Sequence, residues 1–304
     1  MDVRGLEALR ALRTHGGVTA AAAVLHLTPS AVSQQLAALA RDVGVPLTER
    51  VGRGLRLTAA GDALADAAAE VAVALERARS AAGAFLDSPT GTVRVSAFQS
   101  GAQLLLPGLL ARTGTHPDVV VECSDADVAT DAFAPLTDSF DVVVAHRPEE
   151  DGGWADGAGP ARVRVVPLLR EPLDVAVPVG HPLAARPDVA PGDLGDERWI
   201  SVREGFPVDA VLRGLGRTGA PPRVVQRIND FHVVAALVAA GHGVALLPRY
   251  TFGRRTDVRL LPLRGVRAAR RVDALLRPDR AERRVVRLVV DALVAEAAAV
   301  QAGP

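Results

Sequence analysis

The chain has 304 residues, 49% apolar and 23% charged, with 35 basic side chains balanced by 35 acidic ones. That is enough for two or three domains with real cores and excludes a disordered chain. No run approaches the roughly 20 apolar residues a bilayer-crossing helix needs, and the start MDVRGLEALRALR alternates charge with leucine, so a cytoplasmic, non-membrane protein is expected.

Cys123 is the only cysteine, which excludes an intramolecular disulfide; at the end of the apolar run VVVEC it reads as a buried strand residue. Charge is not evenly spread. Residues 1–60 carry seven arginines against four acids, whereas residues 61–87 carry two against five. A modestly basic end is compatible with nucleic acid.

Leu6, Leu9 and Leu12 recur at helical spacing before Gly16 and Gly17, predicting a first helix from about Val3 to His15. Thr19 can cap a short, alanine-rich second helix. Thr28 as N-cap and Pro29 at the first helical position then announce a third, ending before Gly44. On it Val32, Leu36 and Leu39 form the core stripe. The opposite stripe, Ser30, Ser33, Gln34, Ala37 and Arg41, is short or polar enough to enter a major groove. An ordinary solvated helix face is the bland alternative.

The stretch Glu49 to Thr58 places Gly52 and Gly54 between short apolar runs and predicts a tight hairpin bearing Arg50, Arg53 and Arg56. Beside a recognition helix, such a wing lays arginine on phosphates or into the minor groove.

The segment AAAVLHLTPSAVSQQLAALARDVGVPLTERVGRGLRLTAAG resembles the helix-turn-helix and wing of LysR-type transcriptional regulators. Ala21, Ala22, Leu25, Ser33, Leu36, Leu39, Gly44, Pro46, Leu47, Arg50, Leu57, Thr58 and Gly61 all fall where that pattern expects them. Two positions depart from it: Ala40 where the family usually has Glu, and Thr48 where it usually has Phe. The resemblance implies that Thr28, Pro29, Ser30, Ser33, Gln34, Ala37, Arg50, Arg53 and Arg56 face double-stranded DNA.

Thr58 can cap a long helix from about Ala59 to Leu86, where Leu64, Ala68, Val71, Leu75, Ala78, Ala82 and Phe85 alternate spacings of four and three. A period of 3.5 residues is a coiled-coil seam, so this helix is expected to dimerise. The resemblance implies the same, with a homodimer or homotetramer as the product and RNA polymerase as a further candidate partner.

After Asp87-Ser88-Pro89-Thr90-Gly91, strands alternate with helices. VRVSAF, VVVEC and DVVVA enclose a helix through LLLPGLLAR and another around Ala126 to Leu136, a βαβαβ unit with a parallel sheet. VRVVPLL, LDVAVP, WISV, VDAVLRGL, RVVQRI, FHVVAALVAA and VALLP form a second unit. VRLLPL, RVDALL and a helix from Glu282 to Ala299 close the chain.

The fold class expected is α/β overall: an all-α winged helix-turn-helix over residues 1–58, a linker helix over 59–87, and a two-lobed α/β domain over 88–304. Lobe I should span about 92–147 and 266–300, and lobe II about 160–265. LLPGLLARTGTHPDV, FDVVVAH, LDVAVPVGHPLA and ALVAAGHGVALLPR resemble the family's effector domain, which shares the periplasmic-binding-protein fold.

In such a pair of lobes a ligand lies outside the carboxyl ends of the strands. That places Phe98, Gln99, Ser100, Gly101, His146, Arg147, Ser201, Arg203, Asn229, Asp230, Phe231 and His232 around the crevice. Two ligand classes stay open: Ser100, Ser201 and Arg203 converge on a small organic anion, or Arg203 pairs with Glu204 and leaves an apolar crevice suited to a neutral ligand. There is no P-loop, GxGxxG, GxSxG, HExxH or cysteine-histidine cluster, so neither an enzyme nor a cofactor nor a metal is expected. The expectation is therefore a DNA-binding regulator that responds to a small-molecule effector. The alternative is a regulator whose second domain only oligomerises.

Overall fold

The computed structural model describes residues 1–52, 54–83, 89–150, 152–154, 163–216 and 221–303. Helix α1 (Val3–His15) begins where Asp2 Oδ1 accepts from the Arg4 amide and stops at Gly16, whose φ of 69° is the left-handed conformation that glycine tolerates best. Helix α2 (Val18–Val24) is followed by α3 (Pro29–Val43), which Thr28 caps by accepting from the Ala31 amide at 3.2 Å. Leu6, Leu9, Leu12, Val32, Leu36 and Leu39 bury their side chains together. Cutting any of these leucines to alanine would cost about 2–5 kcal/mol.

Strands β1 (Thr48–Val51) and β2 (Gly54–Leu57) form the expected antiparallel hairpin. Thr58 then caps α4 (Ala59–Gly83) through the Gly61 amide at 3.0 Å. Gly61 has a steric reason to be glycine, since a Cβ there would meet the Leu47 carbonyl oxygen at 2.1 Å.

Lobe I contains β3 (Gly91–Ala97), α5 (Gln99–Thr113), β4 (Val119–Asp125), α6 (Phe133–Leu136) and β5 (Val142–Pro148), with β3 parallel to both β4 and β5. The expected helix over Ala126 to Leu136 shortens to a 3-10 turn at Thr130–Ala132 and the single turn of α6. The residues before it cross the crevice mouth instead, where Asp127 accepts from Asn229 Nδ2 at 3.1 Å. Cys123 is exposed rather than buried, because β4 is the edge strand of the sheet.

VRVVPLL and LDVAVP, expected as separate strands, are one: β6 (Arg164–Pro178). Its first half pairs with β11 (Ala269–Leu276) in the lobe I sheet, and its second half pairs with β9 (Ala245–Pro248) and β10 (Val258–Leu261) in lobe II. The passage between lobes therefore lies near Leu173 rather than near residue 160. Lobe II adds β7 (Arg198–Ser201), α7 (Pro207–Leu215), β8 (Arg223–Arg227), α8 (Phe231–Ala239), β9 (Ala245–Pro248), α9 (Arg249–Phe252) and β10 (Val258–Leu261). Strand β11 (Ala269–Leu276) returns to lobe I, and α10 (Arg284–Ala302) covers its sheet. Each lobe has its own apolar core, one around Trp199, Val238 and Leu247 and the other around Val95, Leu109 and Val289.

The winged domain meets lobe I at charged and polar side chains. Arg10 of α1 lies 3.6 Å from Asp279, and His15 Nε2 lies 3.0 Å from Asp138 Oδ2. Arg277 bonds Asp279 at 2.7 Å and reaches Asp138 at 3.4 Å. Burial pushes the Asp279 carboxyl upward, but the Arg277 hydrogen bonds overcome this and hold it below the usual carboxylate range.

Candidate functional site

Two of the molecule's surfaces carry the residues that the sequence singles out. The first is the outer face of α3. Thr28, Pro29, Ser30, Ser33, Gln34, Ala37 and Arg41 are exposed, while Val32, Leu36 and Leu39 on the opposite stripe are buried. This amphipathic split leaves short polar groups on a capped, rigid helix, suited to base edges along its length.

The hairpin divides its arginines. Arg50 stands opposite Leu55, and Arg56 opposite Glu49, so alternation along the strands sends Arg50 and Arg56 to different faces. Leu55 and Leu57 turn toward the winged-domain core, which leaves Arg56 on the outer face. Arg53, the third wing arginine, lies outside the described residues.

On α4 the seven-residue seam splits. Ala68 is 2% exposed and packs with Ala65 into the core of the winged domain, so it is unavailable to a partner. The 3.5-residue period there reports burial against α1, not against a second chain. Leu64 is half-buried. Val71 and Leu75 border a groove of about 120 Å³ that Val3, Leu6, Glu7, Arg10 and Asp279 also line. Ala78 and Ala82 are exposed, and Phe85 lies outside the described residues.

The second surface is the interlobe crevice. Phe98, Gln99, Ser100 and His146 of lobe I face Phe231 of lobe II, as the sequence predicts, and Asp127, Val202, Phe206, Val208 and Asn229 complete the wall. The walls close to a cavity of about 10 Å³, about the space of one water. Hydrogen bonds cross from lobe to lobe: Gln99 Nε2 to Asp230 at 3.2 Å, Asn229 Nδ2 to Asp127 at 3.1 Å, and His232 with Gln103 at 2.9 Å.

Gly101, Ser201, Arg203 and His232 do not line the cavity. Gly101 instead admits the Phe98 ring, which a Cβ would strike at 2.5 Å. His232 serves as a latch between lobes. Arg203 is exposed, with its guanidinium 5.4 Å over the Phe206 ring. The expected convergence of Ser100, Ser201 and Arg203 is therefore not what the fold builds. Ser100 Oγ is engaged instead by Arg270 Nη2 at 2.9 Å.

Arg270 and its partner Glu171 are residues that the sequence pattern did not single out. Both are fully buried. His146 stacks on Phe98 with ring centroids 4.1 Å apart, and its Nδ1 lies 3.4 Å from Arg270 Nη1. Because guanidinium can only donate, Nδ1 accepts and the ring proton sits on Nε2. That Nε2 is buried without a partner, as is Ser201 Oγ. Burial first, and the Arg270 charge second, push the His146 pKa well below 6.5, so the ring stays neutral. Burial pushes the Asp127 carboxyl the other way, upward.

Among the described residues no cluster of histidine, cysteine and carboxylate has metal-holding geometry, and no helix is long and apolar enough to cross a membrane.

Residues 3–62 match the bacterial regulatory helix-turn-helix model of the lysR family, and residues 86–298 match the LysR substrate binding domain. The small neutral protease regulatory protein of Streptomyces lividans is 32% identical over 284 residues, covering 88% of this chain and 79% of that one. The transcriptional dual regulator GltC of Bacillus subtilis is 27% identical over 245 residues, covering 75% of this chain and 74% of that one. A full-length OxyR variant from Pseudomonas aeruginosa shares the fold with a TM-score of 0.67 at 20% identity, covering 97% of this chain and 98% of that chain. With both its DNA-binding and its sensor halves matched, the chain belongs to the LysR family of bacterial transcriptional regulators.

Proposed function

We propose that this regulator reads DNA with Ser30, Ser33, Gln34 and Ala37 of α3, steadied by Thr28 and Pro29 at the helix start and by the wing arginines, Arg56 from the outer face of the hairpin, Arg50 exposed on its opposite face, and Arg53. In the same reading the crevice between the lobes is the effector site. The chain works in the cytoplasm, where its DNA is, and two copies pair through the exposed part of α4 that carries Val71, Leu75, Ala78 and Ala82. A twofold pair presents two α3 helices to a dyad-symmetric operator.

The observation that supports effector binding is the unpartnered Nε2 proton of His146, buried beside a cavity that the lobes seal. A buried donor without an acceptor costs about 1–3 kcal/mol, and a ligand that supplies the acceptor recovers it. With only about 10 Å³ present, the lobes must part for that ligand to enter.

A metabolite library screened by thermal shift against the full chain tests the reading. A hit should stabilise saturably, alter operator affinity and lose its effect in Asn229→Leu. If no compound moves either melting or operator affinity, the sensor half serves oligomerisation alone.

A further inference from the structure

Behind the crevice wall lie a guanidinium and a carboxylate, both 0% exposed. Arg270 and Glu171 are direct cross-strand partners on β11 and β6, beside the point where β6 passes from lobe I to lobe II. Arg270 donates to Glu171 Oε2 from Nη2 at 2.7 Å and from Nε at 3.0 Å. Glu171 Oε1 also accepts from Thr251 Oγ1 at 3.3 Å.

The rest of the guanidinium lies behind the crevice wall, against four of its lining residues. It donates to Ser100 Oγ and His146 Nδ1, and its carbon lies 4.8 Å from the centroid of Phe98 and 5.8 Å from that of Phe231. A fork-shaped donor steadied by a hydroxyl, an imidazole and two rings is how proteins recognise a carboxylate. Here the carboxylate comes from the chain itself.

This determines what a ligand meets. An anion leaving water for a buried site needs a cation there to compensate its lost hydration, and Arg270 is already neutralised. Arg203, which the sequence places at the crevice, is exposed and does not line the cavity. The wall offers a neutral imidazole N–H, the Asp127 carboxyl, the Asn229 amide and the rings of Phe98, Phe206 and Phe231.

Resting on the reading of the crevice as an effector site, we propose that Glu171 is a resident carboxylate filling the anion site built by Arg270, Ser100 and His146. The crevice accordingly selects an uncharged hydrogen-bonding effector, one with an acceptor for His146 and a donor for Asp127, and turns small carboxylates away.

Acetate is the probe, because Glu171→Ala removes about the volume and the charge that acetate restores; acetamide is the uncharged control of the same shape. Melting of the full chain is followed in each at constant ionic strength. The unmodified chain should respond to neither. Glu171→Ala should melt lower and regain about 2–4 °C with saturating acetate but not with acetamide.

Should that variant fail to fold in plain buffer, refolding from urea should succeed in acetate and fail in acetamide. Glu171→Ala/Arg270→Met, which lacks the guanidinium, should lose the acetate response. Acetate stabilising the unmodified chain, equal rescue by acetamide, or a response retained without Arg270 would each overturn the proposal. So would a carboxylate from the metabolite screen that binds the unmodified chain and needs Arg270 to do so. The acetate result requires no effector, so an empty screen sinks the effector reading while leaving the resident carboxylate standing.

Discussion

The α3 face and the interlobe crevice use the same kinds of polar residue under opposite constraints. On α3, Ser33 and Gln34 are exposed, make no contact the fold depends on, and keep their hydrogen-bonding capacity for a partner. In the crevice, Ser100, His146, Arg270 and Glu171 are buried and bonded to one another. A reading surface can thus vary with little effect on folding, whereas recognition and stability in the crevice rest on the same atoms.

The contrast is easiest to break at Arg270. Arg270→Leu leaves Glu171 buried without a counter-charge and is expected to cost the sensor domain about 3–5 kcal/mol in urea unfolding. Gln34→Ala should change stability by less than about 0.5 kcal/mol. An Arg270 variant as benign as the Gln34 one would mean that the crevice is not held by this pair.

Gln34→Ala has its effect elsewhere. It should reduce discrimination between operator and scrambled DNA by about 1–3 kcal/mol in anisotropy titrations and leave nonspecific affinity unchanged. Unaltered discrimination would remove Gln34 from the reading face.

Burial sharpens the comparison through pH. The native His146 ring stays neutral below 6.5, where the unfolded chain takes up a proton. Its contribution is therefore unpenalised above that pH, and stability falls as pH drops below it, by up to about 1.4 kcal/mol per unit. His146→Phe should flatten that part of the profile of urea midpoints; an unchanged slope would place the proton uptake on another group. The smallest effect belongs to the wing. Arg56→Ala should weaken all DNA sequences alike and lower the salt slope of binding by about 1.

The two regions also differed in how far the sequence revealed them. Everything that defines α3 is local: the Thr28-Pro29 start, the Val32, Leu36, Leu39 stripe and the Gly44 stop lie within one helix. Phe98, Gln99 and Ser100 were legible for a similar reason, as the turn from a strand into a helix N-terminus.

Arg270 and Glu171 were not, because their partnership joins residues 99 positions apart and each stands among other charged residues of its strand, Arg170 and Asp174 on β6 and Arg271 and Asp273 on β11. The available signal was charged residues inside an otherwise apolar strand, as in LLREPLDVAVP, which demand counter-charges without naming them. Ala68 shows the converse limit. A 3.5-residue period marks a buried face of α4 but does not say whether α1 or a second chain covers it.

The central claim is that α3 reads DNA as one of a symmetric pair. Selection of binding sites from a random duplex library by the full chain addresses it most directly. Enrichment of an inverted repeat is expected, with half-site centres about one helical turn or a multiple of it apart, and with base preference relaxed within each half-site for Gln34→Ala. Enrichment of single unpaired half-sites, or of no sequence at all, would contradict it.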